Sequence, residues 1–134
     1  MNKLLIFILV IGLTNAEKKC QKGWFKVKGH CYHVGEEFLS SLESEKYCKN
    51  LDSRMAKFEQ DKIPQRLKFE LKGKHLDSCG YDPCAWWVGA KKNKNGNKWL
   101  DSCVELLHIK GKIFKFNHVY CFAELKPICQ KKLL

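Results

Sequence analysis

Lysine supplies the chemistry along one stretch of this sequence. Lys91, Lys92, Lys94 and Lys98 crowd the stretch from Trp86 to Cys103, Trp99 follows them, and Lys110 and Lys112 flank a glycine a few residues on. Ammonium groups so close together attract sulfate, phosphate or carboxylate, and an indole can stack on a sugar face. These seven residues, Lys91, Lys92, Lys94, Lys98, Trp99, Lys110 and Lys112, are the candidate ligand-binding set. The whole chain agrees in sign: 25 Lys and Arg against 14 Asp and Glu give a formal charge of +11. Such a balance favours anionic partners: sulfated glycans, acidic lipid surfaces, or mineral and acidic matrix.

Candidates for catalysis are thinner. Glu36, Glu37 and Asp52 are the carboxylates that could be proposed as an acid and a second carboxylate across a cleft, in the manner of c-type lysozymes. The cysteine spacing does not match that arrangement. His30, His33, His75, His108 and His118 are scattered, with no visible Ser/His/Asp constellation, and read as surface or hydrogen-bonded histidines. No catalytic residue is assigned, and the chain is expected not to be an enzyme.

Eight cysteines stand at 20, 31, 48, 79, 84, 103, 121 and 129. The first sixteen residues have a basic start, an apolar run of about ten residues and small residues at Thr14-Asn15-Ala16, the pattern of a secretory signal cleaved after Ala16. The run is too short to span a bilayer. An even cysteine count in an exported chain reads as four disulfides. Cys79 and Cys84 could instead hold zinc, but no second close ligand pair stands at finger spacing. Export also argues against nucleic acid as the partner. The mature part is residues 17–134, or 134 − 16 = 118 residues, enough for one domain with its own core.

The elements that must carry these groups follow from pattern. Trp24, Phe25 and Val27 before Gly29 suit a small hairpin closed by Cys20 and Cys31, with an extended stretch to Val34. Ser40-Ser41-Leu42-Glu43 has capping-box spacing and starts a helix whose inner face is Leu42, Tyr47, Cys48 and Leu51. Arg54–Phe58 alternates as a strand. Asp61 caps a second helix, Pro64 sits in its first turn, Ile63, Leu67 and Leu71 form its apolar stripe, and Gly73 ends it. Residues 74–83 are a loop. Ala85–Ala90 and Lys98–Leu100 flank Asn95-Gly96, a type I′ hairpin signal. Strands are expected over Val104–Ile109 and Ile113–Phe116, joined through Lys110-Gly111-Lys112, with further extended pieces at Val119–Cys121 and Pro127–Gln130. Two early helices and several late strands in a disulfide-stapled chain make an α+β domain with a mainly antiparallel sheet.

In this order, the landmarks resemble the C-type lectin-like domain family. Gly23-Trp24 with Cys31-Tyr32 resembles its opening hairpin. Ser41-Leu42 through Cys48, then Leu51 and Arg54-Met55-Ala56, resembles its first helix and the following strand. Trp87-Val88-Gly89-Ala90 is similar to its central Trp-Ile-Gly-Leu signature. Cys103-Val104-Glu105-Leu106, Phe116-Asn117-His118-Val119-Tyr120-Cys121 and Pro127-Ile128-Cys129 resemble its C-terminal sequence. The resemblance covers nearly the whole mature chain. It implies the pairs Cys20–Cys31, Cys48–Cys129 and Cys103–Cys121, which leaves Cys79 with Cys84.

The resemblance also carries an expectation about calcium. Sugar-binding members hold the ion on a long loop with a Glu-Pro-Asn or Gln-Pro-Asp type motif, and with a Trp-Asn-Asp motif in the next strand. Here only Ser102 separates Trp99-Leu100-Asp101 from Cys103, and the second motif reads Phe116-Asn117-His118. Asp101, Glu105 and Asn117 are the oxygens left, against the roughly six to eight that calcium takes. The expected protein is therefore secreted and calcium-independent. It needs no metal or other cofactor, does not span a membrane, and binds an anionic glycan or surface through a basic edge. The alternative is a protein-interaction, matrix or venom component without sugar binding.

Overall fold

The computed structural model describes residues 19–58, 62–76, 79, 83–89, 103–109 and 113–133. In chain order the elements are β1 (Phe25–Val27), β2 (His30–Val34), α1 (Ser41–Asn50), β3 (Arg54–Met55), α2 (Gln65–Lys74), β4 (Cys84–Val88), β5 (Cys103–Ile109), β6 (Ile113–Val119) and β7 (Lys126–Lys132). The sheet runs β1-β2-β7-β4-β5-β6, and β3 also pairs with β7. Among the described strands every pairing is antiparallel except β4 with β7. The four disulfides are Cys20–Cys31, Cys48–Cys129, Cys79–Cys84 and Cys103–Cys121.

The sheet has a helix on each side. Successive residues of a strand point to opposite faces, so Trp86 and Trp87, both fully buried, enter different layers. Trp86 joins Leu67 and Leu71 of α2, with Val27, Tyr32, Val34, Leu106 and Ile128. Trp87 joins Cys48 of α1, with Met55, Leu125 and Cys129. The Trp87 indole N–H also donates to the Leu39 carbonyl at 2.6 Å, tying the sheet centre to the segment that leads into α1.

Helix α1 begins as its sequence dictates. Ser40 Oγ accepts the Glu43 N–H at 3.2 Å, and Glu43 Oε1 accepts the Ser40 N–H at 3.1 Å, a complete capping box. Its buried residues are Ser41, Ser44 and Cys48, whereas Leu42 is 61% exposed, which corrects the inner face expected from the sequence. Small residues let this helix lie against β7, where Cys48 meets Cys129.

Helix α2 buries the expected Leu67 and Leu71; Ile63 is buried too, but it precedes the helix rather than forming part of its stripe. The helix continues through Gly73 to Lys74, with His75 as its C-cap, so Gly73 does not end it; Pro64 is the N-cap residue, one step before the helix. Asp61 lies outside the described residues. The strand expected over Arg54–Phe58 narrows to Arg54–Met55, followed by a parallel bridge from Lys57 to Gly89. Gly35 is required by a close approach: its N–H donates to the Pro127 carbonyl at 2.8 Å, and a Cβ there would fall 2.8 Å from the proline ring.

Candidate functional site

Lys91, Lys92, Lys94, Lys98, Trp99, Lys110 and Lys112 all lie outside the described residues, as do Asn95-Gly96 and Lys98–Leu100. Their described flanks are informative. The antiparallel partner of β4 is β5, with Val88 opposite Val104 and Cys84 opposite His108. Gly89 and Cys103, which flank the first lysine group, therefore stand at one end of β5. Ile109 and Ile113, which flank Lys110 and Lys112, stand at the other. Six residue steps of strand separate those ends, roughly 20 Å. The described residues that flank the two lysine groups thus stand at opposite ends of one strand.

At the Cys103 end, β5 and β6 bring two of the three leftover calcium candidates together. Glu105 pairs with Asn117 across the strands, and Asn117 Nδ2 donates to Glu105 Oε1 at 2.9 Å. Glu105 is buried, and its neighbour across the ladder is an amide with exposed His118 next in sequence. This donor set does not suit calcium, which takes about six to eight oxygens. One carboxylate is already engaged by the amide N–H, and no cluster of three or more His, Cys, Asp and Glu that could hold a metal stands among the described residues. Asp101 lies outside them.

The other titratable candidates are dispersed. Glu36, Glu37 and Asp52 are exposed. His33 is held structurally: Nδ1 donates to the Gly23 carbonyl at 2.9 Å, Nε2 lies 2.8 Å from the Tyr47 hydroxyl, and the ring stacks on Trp24 at 5.1 Å. Burial, with Glu36 and Glu37 adding to it, raises the Tyr47 pKa above that of a free phenol. His108 is buried against Phe114, with ring centres 4.7 Å apart. His75 is held below the usual imidazole pKa by burial, with Lys126 in the same direction. His30 lies beside Tyr32.

Two surfaces were not visible in sequence. Exposed Tyr120 and Phe122 flank Cys121, whose carbonyl accepts the Ser41 N–H at 3.0 Å; this ties the segment that carries them to the start of α1, where Leu42 is also exposed. The second is a set of lysines that the sheet gathers from both ends of the sequence, around β1, β2 and β7. Only strand pairing brings residues 22–28 beside residues 131–132, so no local motif announces it.

Known structures share this arrangement. The C-type lectin-like domain of mouse CD72a superposes with a TM-score of 0.65 at 19% identity, covering 88% of this chain and 97% of that one. The Ca2+-independent C-type lectin SPL-2 from Saxidomus purpuratus gives 0.65 at 21%, covering 84% and 93%. The snake venom toxin convulxin gives 0.68 at 13%, covering 87% and 99%.

The fold is that of a C-type lectin-like domain.

In sequence, this lectin-like domain is 29% identical over 83 residues to clotting factor C of Tachypleus tridentatus, and 26% identical over 105 residues to a C-type lectin domain family 2 member D-related protein of Rattus norvegicus. The matched stretch spans 62% of this chain and 8% of the clotting factor, and 75% of this chain and 40% of the rat protein. No family model matches. Among the described residues of the lectin-like domain, no helix is long and apolar enough to cross a membrane.

Proposed function

We propose that the protein is a secreted recognition domain that binds an anionic glycan or acidic surface without calcium. The observation that carries this reading is the charge balance, 25 basic against 14 acidic residues. The donor set at Glu105 and Asn117 supports the calcium-independent part, and SPL-2, a Ca2+-independent C-type lectin of the same fold, is a precedent. The proposed contacts are Lys91, Lys92, Lys94, Lys98, Trp99, Lys110 and Lys112. Binding rather than catalysis is the proposed activity. Residues 1–16 are proposed as the export signal and residues 17–134 as the domain.

The test is a sulfated-glycan column, run with calcium and with a chelator. The protein is expected to be retained in both and to elute with salt, because exposed charges are screened within about 8 Å at physiological ionic strength. Elution at low salt, unchanged when the six lysines are replaced by serine, overturns the proposed contacts. A rise in melting temperature on adding calcium overturns the calcium-independent part.

A second reading is favoured by Tyr120 and Phe122, which are 79% and 89% exposed on a segment tied to the start of α1. Large apolar groups left in solvent suit a protein partner. On this reading the domain is an extracellular interaction, matrix or venom component that binds no sugar, and the sulfated-glycan column would not retain it.

A further inference from the structure

We propose that the β1–β2–β7 end of the sheet is a separate binding surface for a linear sulfated polysaccharide, formed by Lys22, Lys26, Lys28, Lys131 and Lys132. Lys26 stands opposite Cys31, and Cys31 opposite Lys131. Residues directly opposite on neighbouring strands share a face, so Lys26 and Lys131 flank one disulfide about 10 Å apart. Lys132 stands opposite His30 one position on, so it leaves the other face of the sheet at the same end, next to the β1–β2 turn. Lys28 occupies the β1–β2 turn with φ 53°, next to Gly29, whose carbonyl accepts the Leu133 N–H at 2.9 Å. Lys22 lies in the turn that the Trp24 N–H closes on the Gln21 carbonyl at 3.0 Å.

Part of this surface is fixed before any ligand arrives. Lys131 Nζ donates to Gln21 Oε1 at 2.9 Å and lies 4.3 Å from the centre of the Trp24 ring. Trp24 rests in turn on His33, and His33 on Tyr47. One ammonium is thus held in place by contacts that leave its charge unneutralised, which lowers the entropy lost when an anion binds.

The sign of the surface is uniform. Residues 19–35 and 125–133 contain no Asp or Glu, and β3 adds Arg54 opposite Gln130. Glu36 and Glu37 follow the far end of β2, six residues from His30, about 20 Å along an extended chain. Five cations spread over both faces of one sheet end and two turns can meet several sulfates of a chain that passes over that end, where a single small anion would meet one or two. Two features disfavour other polyanions. None of the exposed large apolar side chains, Phe38, Leu42, Phe69, Ile113, Tyr120 and Phe122, lies in these strands, so the surface offers no anchor for a lipid bilayer. Trp24 is half-buried and already engaged by Lys131 and His33, so it offers no open ring for a nucleic-acid base.

The surface is independent of the lysines proposed above, and the experiment keeps the two apart. Affinity of the full chain for heparin is measured across salt concentrations, beside de-sulfated heparin and phosphatidylserine vesicles. Three proteins are compared: the natural chain, a variant with Lys22, Lys26, Lys28 and Lys132 replaced by glutamine, and a variant with Lys91, Lys92, Lys94, Lys98, Lys110 and Lys112 replaced by serine. Lys131 is kept because its ammonium lies over the Trp24 ring and donates to Gln21, so its loss would also disturb those contacts. We expect the first variant to lose at least about tenfold in heparin affinity at physiological salt. We also expect its slope of log affinity against log salt to fall by about one per lysine that touches a sulfate. An unchanged melting temperature would show that the fold is intact. Natural affinity and slope in the first variant overturn the inference, whatever the second variant does. Loss in the second variant alone leaves the hairpin contacts standing without this surface. Equal binding to de-sulfated heparin, or binding to the vesicles and not to heparin, also overturns it.

Discussion

The two faces of the sheet are held by different kinds of force. The α1 face uses directional and covalent ties: the Cys48–Cys129 bridge, a complete capping box at Ser40 and Glu43, and the Trp87 N–H on the Leu39 carbonyl. The α2 face relies mainly on burial, with the buried Gln130 amide donating to the Tyr32 hydroxyl at 2.9 Å. Leu67, Leu71, Trp86, Val88 and Leu106 pack there, α2 has no side-chain cap at its start, and its cross-link, Cys79–Cys84, is local. Among the described residues the Trp86 N–H has no hydrogen-bond partner. Apolar contact tolerates exchange of one shape for another of similar volume, whereas a bridge or a specific hydrogen bond does not. The α1 face should therefore be the less forgiving of change.

Removing the cross-links gives the largest contrast. Cys48 and Cys129 are 81 positions apart and Cys79 and Cys84 only 5. By loop closure, replacing the first pair with serine is expected to cost about 4.5 kcal/mol and the second about 2 kcal/mol. Urea denaturation of the two double variants measures the difference. Equal losses would break the comparison.

The tryptophan pair sharpens it. Trp87→Phe removes volume and one of the two hydrogen bonds to the Leu39 carbonyl, which keeps the Leu125 N–H, at an expected cost of about 2–3 kcal/mol. Trp86→Phe removes similar volume but also an unpartnered buried donor, so about 1–2 kcal/mol is expected. Thermal unfolding of the single variants checks the order, and a larger loss from Trp86→Phe would reverse the argument.

Acid gives the smallest contrast, in two separate windows. Burial lowers the His75 pKa, so the unfolded chain binds that proton first. The resulting stability is complete above the ordinary imidazole value of 6.5 and is lost as pH falls from there through the folded value. Hydrogen bonding to the Ser40 backbone N–H lowers the Glu43 pKa, so its contribution is present above 4.5 and is lost as pH falls through its folded value. His75→Gln should flatten the first decline in a plot of stability against pH, and Glu43→Gln the second; Ser40→Ala, which keeps that backbone N–H, should cost about 1 kcal/mol at neutral pH through the lost cap. If His75→Gln or Glu43→Gln left its own window unchanged, that assignment would fail.

These contrasts explain what could be read from the sequence. The cysteine scaffold and the order of landmarks carried the fold, because a disulfide framework survives wide drift in the surrounding residues. The capping box at Ser40 was legible because it is a local pattern. The inner face of α1 was not: Ser41 and Ser44 are buried for their small size, and a search for apolar periodicity passes over them in favour of Leu42, which faces solvent. Gly73 was misplaced as a terminator because nothing crowds it within 4 Å and the helix can run on. The pairing of Glu105 with Asn117, and of Lys26 with Lys131 across Cys31, depends on register between segments distant in sequence. Reading residue types along the chain supplies no such register.

One contact has a bearing on assembly into longer polypeptides. The Leu133 N–H reaches the Gly29 carbonyl, and Cys20 is bridged to Cys31, which stands opposite Lys131. The described chain therefore enters and leaves the domain at one place. A fold with that layout can hang as a pendant from a longer chain, with its far side untouched by what precedes or follows. Any polypeptide joined at either end would border the lysine surface, making that surface the part of the domain most sensitive to its neighbours.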